Sequence, residues 1–401
     1  MFKNFINSFK GLSQETWMLS IVMLINRSGA MVIPFLGIYM TQHLHFSLRD
    51  SGSVLAAFGL GSVIGSWFGG WVTDKIGEYK VQSWSLLLSV PLFCLLPMFK
   101  TELSLGVMIF ILSLVSECFR PANSVAISKY AKPGNLTRAF SLNRMAVNLG
   151  FSVGPALGGI LAAISYDFLF YTNAFTVFVA ALVYIYFFKE RNKQFQLKKS
   201  ETEKVVVPKE LSPYRDRKFI FYSIFCLIFS ICFFQIFSSL TIFYEKEAHL
   251  SQTHIGYLLA FSGLVVVLLE MLLVNVAEKR FTLGKTLFLG SLFCGISYAM
   301  LIFNHHFLFL ALAMVFLSVG EIWALPFMST ITAIRSEGRS KGAYMGMNGM
   351  AFSAAFVITP YVGTRVAESM GFNFLWAVTG ILFLITAVSF YYIVPWLLKK
   401  Q

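Results

Sequence analysis

Charge is what this sequence has least of. Asp, Glu, Lys and Arg make up 13% of its 401 residues while 57% are hydrophobic, and a soluble globule of this length needs far more polar surface than that. A polytopic membrane protein is the class that remains. Cysteine is sparse as well: the five present (Cys94, Cys118, Cys226, Cys232, Cys294) all fall in apolar stretches without metal-ligand spacing, so they read as small core residues and no metal site or disulfide is expected. No Walker-type nucleotide loop occurs, which removes ATP as an energy source. Nucleophile elbows and cofactor loops are missing too, so neither an enzyme nor a cofactor is expected. The first apolar run is too long for a cleavable signal and leads straight into further runs.

What is there is one hydrophobic run after another. They fall near 15–41, 51–73, 82–100, 104–128, 139–164 and 167–188, then near 218–244, 253–277, 284–303, 306–333, 341–364 and 373–397. Each reaches the ~18 residues that mark a spanning helix. The fold class is therefore an all-α polytopic membrane protein with twelve transmembrane helices, called spans 1 to 12 below.

The net charge of +13 would suit nucleic acid if it were gathered on a surface, but its placement points elsewhere. Of 32 Lys and Arg, only Arg49, Lys100, Lys246 and Arg365 lie in loops on one side, and Arg27, Arg120 and Arg144 lie within spans. The other 25 lie on the opposite side, ten of them between Lys189 and Lys218. This positive-inside pattern predicts both termini in the cytoplasm and a multi-pass protein of the cytoplasmic (inner) membrane. The expected partner is a lipid bilayer, not nucleic acid.

A shift of 205 residues aligns Pro121 with Pro326, Ser124 with Ser329, Pro155 with Pro360, and Asn143-Arg144-Met145-Ala146 with Asn348-Gly349-Met350-Ala351. Such an offset predicts two pseudo-symmetric six-helix halves of like orientation, 1–189 and 217–401, joined by a polar cytoplasmic linker at 190–216. Two halves rocking about a midplane cavity make a secondary transporter for a small-molecule substrate, driven by an ion or solute gradient; a monomer suffices.

Ionisable groups within spans are the first functional candidates, because burying them in lipid costs several kcal/mol unless they are paired or wetted. Asn26-Arg27 falls near mid-depth of span 1; Arg27 is either an interhelical pair or an anchor for a substrate anion or a nearby proton site. In span 4, Glu117 and Arg120 are three apart and share a face. They form either an inert pair or a proton switch, since desolvation and an approaching cation push a carboxyl pKa in opposite directions. Glu321 in span 10 has no basic residue near it in its own helix and reads as a second proton site or a hydrogen-bond partner. Arg144 enters span 5 near the cytoplasmic end and can snorkel, form a gate pair or touch substrate; Glu270 in span 8 suits a gate. Gln235, Asn143 and Asn348 are candidates to line the cavity. All six histidines (His43, His45, His249, His254, His305, His306) lie at outer helix ends, poor positions for an intramembrane relay.

Three motifs carry a family resemblance. Gly70-x-x-x-Asp74-Lys75-x-Gly77 puts an acid and a base between glycines on a tight loop, a ready hinge. It looks like the loop 2–3 signature of the major facilitator superfamily, with Glu78 and Tyr79 where basic residues usually follow. Arg120 resembles the span 4 arginine that many proton-coupled members use beside the proton pathway. Gly150-x-x-x-Gly154-Pro155-x-x-Gly158-Gly159 resembles the span 5 motif of drug–proton antiporters, with Ser141 at its first glycine position. The resemblance implies the major facilitator fold, protons as a coupling partner, and a gate or hinge role for Gly70, Asp74, Lys75, Gly77, Gly154 and Pro155.

The leading expectation is proton-coupled export of amphipathic or lipophilic small molecules. A proton-coupled importer of an anionic or zwitterionic solute (peptide, amino acid, sugar or siderophore-like) is the alternative, favoured by three intramembrane arginines. The Glu-x-x-Glu-Arg signature of peptide symporters is absent. A receptor or lipid flippase on the same fold is the third reading.

Overall fold

In hydrocarbon a backbone must satisfy its own N–H and C=O groups, so each apolar run becomes a helix. A computed structural model describes residues 8–202 and 212–399, apart from the side chains at 34, 48, 155, 156, 163 and 195–202. Among the described residues, eleven helices are long and apolar enough to cross a membrane. The twelfth is the interrupted first span, Gln14–Ser28, then Val32–Ile38 and a wide turn at Tyr39–His43. The others are Leu48–Ile76, Glu78–Leu95, Glu102–Glu117 continued by Phe119–Tyr130, Leu136–Ile164 and Tyr166–Thr202 in the first half. The second half has Arg217–Phe233 continued by Phe234–Phe237 and Ser239–Lys246, then Gln252–Arg280, Leu283–Met300, Phe307–Arg335, Lys341–Met370 and Phe372–Leu398.

Two cores divide the chain. One gathers buried side chains from Leu12 to Phe188, the other from Phe219 to Leu397, and among the described residues only Met271, Ala333 and Met345 cross from the second half into the first core. Span 6 runs past the expected end at 188, to Thr202. Its extension is rich in Lys, Glu and Gln, good helix formers, and is pinned where Arg191 stacks on Phe187 at 3.6 Å and bonds Glu15 at 3.0 Å. The rest of the expected linker, 203–211, lies outside the described residues.

Three spans break near mid-depth, and proline chemistry accounts for two of the breaks. Pro121 has no N–H for the Glu117 carbonyl, and the helix stops at Glu117 and restarts at Phe119. Pro34 likewise offers nothing to Ala30, and span 1 pauses over residues 29–31 before restarting at Val32, whose N–H reaches Asn173 Oδ1 at 3.5 Å. Span 7 tightens into a short turn at Phe234–Phe237.

The halves meet along spans 2 and 11 and along spans 5 and 8. A side chain at Gly70 would collide with the Gly342 carbonyl at 2.5 Å and Gly346 Cα at 2.8 Å, so glycine on both sides is what lets these backbones touch. Asp74, at the end of span 2, accepts from the N–H groups of Gly342 and Ala343 at 2.5 and 2.7 Å, at the start of span 11. Its counterpart Glu278, at the end of span 8, holds Arg138 Nε at 3.1 Å and accepts from the Arg138 backbone N–H, at the start of span 5. An acid on each half thus sits at a helix N-terminus of the other, where the helix dipole favours it. Gly77 turns the chain between spans 2 and 3 at φ 88°, a left-handed angle that costs glycine least.

Candidate functional site

Span 5 is thin where it crosses span 1. A Cβ on Gly150 would lie 2.6 Å from Arg27 Cβ and 2.9 Å from the Ser28 nitrogen, and one on Gly154 would lie 3.2 Å from the Arg27 and Ser28 carbonyls. The glycine repeat therefore seats span 5 directly on the Arg27 break. Asn26 and Arg27 line a cavity of about 80 Å³ together with Ser85, Ser89, Glu117 and Asn173. It lies inside the first half, among spans 1, 2, 3, 4 and 6.

The Arg27 guanidinium stacks 5.6 Å from the Phe151 ring, and its Nε has no hydrogen-bond partner. Glu117 and Arg120 both act on it electrostatically. Arg120 NH1 lies 3.6 Å from Glu117 Oε2, too far for a hydrogen bond, and that oxygen is buried without one. The same NH1 donates to Ser353 Oγ of span 11 at 3.4 Å. Glu117 and Arg120 do share a face, as spacing requires, but the arginine also reaches the other half.

Glu321 is not the solitary carboxyl that its own helix suggests. Arg144 NH1 bonds Glu321 Oε1 at 2.5 Å while Arg144 Nε bonds Glu270 Oε1 at 2.9 Å. One guanidinium of span 5 thus ties spans 8 and 10, with Glu270 fully buried. Spacing within span 10 could not reveal this, because the partner comes from another helix in the opposite half. Asn143, next to Arg144, accepts from Asn123 Nδ2 at 3.1 Å, within its own half. Asn348 is half-buried in span 11. Gln235 is buried at the span 7 turn, against Gly363, with its Oε1 lacking a donor. Lys75 stacks 5.9 Å from Trp71 of its own helix. The Pro155 side chain lies outside the described residues.

One group escaped sequence reading because it lies within the expected linker. Asp216 caps span 7 by accepting from the Phe219 N–H and receives Arg335 at 2.8 and 2.9 Å, Arg339 at 2.8 Å and the Tyr344 hydroxyl at 2.7 Å. Burial works to raise its carboxyl, but bonds from Arg335 and Tyr344 outweigh that and hold it below the usual range. The signal for it was an acid just before a long apolar run, an N-cap pattern.

Among the described residues, the polar links between the halves are all at mid-depth or toward the side of loop 2–3. They include Asp74 to span 11, Lys341 Nζ to Ser128 Oγ at 3.1 Å, the Arg138–Glu278 and Arg144 contacts, and the Ser62, Ser66 and Arg120 contacts to Ser353. Among the described residues no hydrogen bond or ion pair joins the halves nearer the opposite side.

The profile of the Major Facilitator Superfamily matches residues 17–303 and 245–400. An uncharacterized MFS-type transporter of Bacillus subtilis, YttB, is 28% identical over 359 residues, 89% of each chain. The multidrug resistance protein MdtH of Yersinia enterocolitica is 24% identical over 331 residues, 81% of this chain and 80% of that one. The crystal structure of a bacterial homologue of the iron transporter ferroportin, in an outward-facing state, superposes with a TM-score of 0.75 at 16% identity, over 97% of this chain and 100% of that one. Twelve spans, two cores and a profile match across nearly the whole length agree: the chain belongs to the major facilitator superfamily, a family of membrane transporters and not of enzymes.

Proposed function

We propose that this protein is a proton-coupled secondary transporter that exports amphipathic or lipophilic small molecules across the cytoplasmic membrane by alternating access, as a monomer with both termini in the cytoplasm. The observation that carries this reading is Glu117, a carboxylate at a mid-depth helix break, lining a buried cavity and lying beside Arg120, which also touches the opposite half. Proton arrival neutralises Glu117 and frees Arg120 from it, so protonation changes the contact between halves. Departure of the proton restores the pull. Glu321, held by Arg144, belongs to the closure and not to this switch. With loop 2–3 read as cytoplasmic, the links near it close the halves on that side and leave the carrier facing outward. Export is supported by the span 5 glycine motif and by the multidrug resistance relative.

The test is transport by the purified protein in liposomes, with a pH gradient or with substrate on both sides. Glu117→Gln is expected to lose at least tenfold of pH-driven flux while keeping exchange of substrate for substrate within about threefold, because the switch is gone but the path is not. Full pH-driven flux in Glu117→Gln would sink the proposal.

A further inference from the structure

The charges around the span 1 and span 4 breaks do not balance. Two guanidiniums, Arg27 and Arg120, face one carboxylate, Glu117, while the other buried acids at this depth, Glu270 and Glu321, share the single guanidinium of Arg144, so the positive surplus is local to the two breaks. A guanidinium carries five N–H donors. Arg120 uses one of them on Ser353 at 3.4 Å, and its side chain is 38% exposed despite lying at the interface of the halves. Arg27 makes a ring contact with Phe151 and leaves its buried Nε unpartnered. Surplus positive charge with idle donors at mid-depth is a poor place for a cation and a good one for an anion.

Across from Arg120 the wall is aromatic. Its Cζ lies 5.7 Å from the Phe352 ring of span 11. Phe234, at the span 7 turn, meets Phe352 edge-on at 6.4 Å and Phe356 at 5.6 Å, and Phe237 continues the run at 6.1 Å. Phe356 and Phe237 are 46% and 63% exposed, so ring surface remains available. Benzenoid faces of this kind hold a flat apolar body without choosing its charge.

From this juxtaposition we infer that Arg120 of span 4, Phe234 of span 7 and Phe352 and Phe356 of span 11 bind amphipathic organic anions, with the acidic group on Arg120 and the aromatic body on the three rings. Arg27 supplies the second positive charge from behind. The inference rests on the transporter reading but narrows its substrates to one sign of charge.

The test compares two dyes with the same xanthene ring system, fluorescein as the anion and rhodamine 123 as the cation. Their binding to the full-length protein in nanodiscs at pH 7.5 is followed by fluorescence anisotropy. Fluorescein is expected to bind at least tenfold tighter than rhodamine 123. Arg120→Gln should cost fluorescein at least tenfold and leave rhodamine 123 within twofold, whereas Arg120→Lys should cost less than fivefold. Phe352→Leu should weaken fluorescein about fivefold. If Arg120→Gln fails to yield folded protein by size exclusion and thermal melting, Arg27→Gln takes its place, with an expected loss of about fivefold. Rhodamine 123 binding as tightly as fluorescein, failure of both dyes to bind, or fluorescein affinity unchanged within twofold in the arginine variant would overturn the inference. Liposome flux separates this from the broader reading. Fluorescein that binds but crosses under no gradient leaves the site standing and removes transport; rhodamine 123 that is pumped without fluorescein binding does the reverse.

Discussion

Glu117 and Asp216 are both acids offered more than one cation, and they differ in where they sit. Asp216 lies just outside span 7, with two arginines, a tyrosine hydroxyl and a backbone N–H directed at it. A carboxyl held below its usual range stabilises the fold at pH values above its unfolded pKa and loses that contribution as pH falls through the folded one. Asp216→Asn is therefore expected to lower the thermal midpoint at pH 7 by several degrees. The gap to the wild type should close as pH drops below ~4, the ordinary aspartate range. A gap that stays constant from pH 7 to pH 3.5 would show that charge is not what Asp216 contributes. Sequence reading reached Glu117 and Arg120 because three-residue spacing fixes a shared helix face. It passed over Asp216 because an acid in a polar segment looks like solvated linker until the arginines of spans 10 and 11 are placed around it.

At the level of helices, the spans themselves were legible, since hydrocarbon forces one helix per apolar run. Their breaks were half legible: Pro34 and Pro121 announce a missing donor, whereas nothing in Phe234-Gln235-Ile236-Phe237 announces a turn. Which faces meet was not legible at all, and the Arg144 bridge shows the consequence. Period and spacing give a residue's angle about its own helix but not the neighbour it points to, so Glu321 read as solitary. The bridge makes a graded expectation. Arg144→Gln leaves two buried carboxylates facing each other, and stripping one member from a buried ion pair costs about 3–5 kcal/mol. Glu321→Gln leaves Arg144 paired with Glu270 and should cost less than half as much. Thermal melts of both purified variants check the order; equal losses would mean that Glu321 is as central to the bridge as the arginine.

At the scale of the whole molecule, the Asp74 and Glu278 contacts are alike, and the two acids are separated by about the 205 residues of the sequence offset. In the sequence that offset aligns prolines and asparagines. That each acid sits at a helix start of the opposite half was not legible there, because alignment says what corresponds and not what touches. Closure on the loop 2–3 side is therefore doubly latched. Asp74→Asn is expected to weaken one latch. In a background with the native cysteines replaced, a cysteine at Ser66, fully buried between spans 2 and 11, should react with a maleimide at least threefold faster in this variant. Unchanged labelling would show that the glycine contacts hold the halves without the acid.

The unequal count of arginines and glutamates at the two breaks has an electrical meaning. A carrier that admits a proton while releasing an organic anion moves positive charge inward twice over in each turn, once with each passenger. The resting potential of a cell, negative inside, then works on both steps, with ~2.3 kcal/mol per charge for every 100 mV. Such a pump is a current source, and its output is set by membrane voltage even where no pH difference exists.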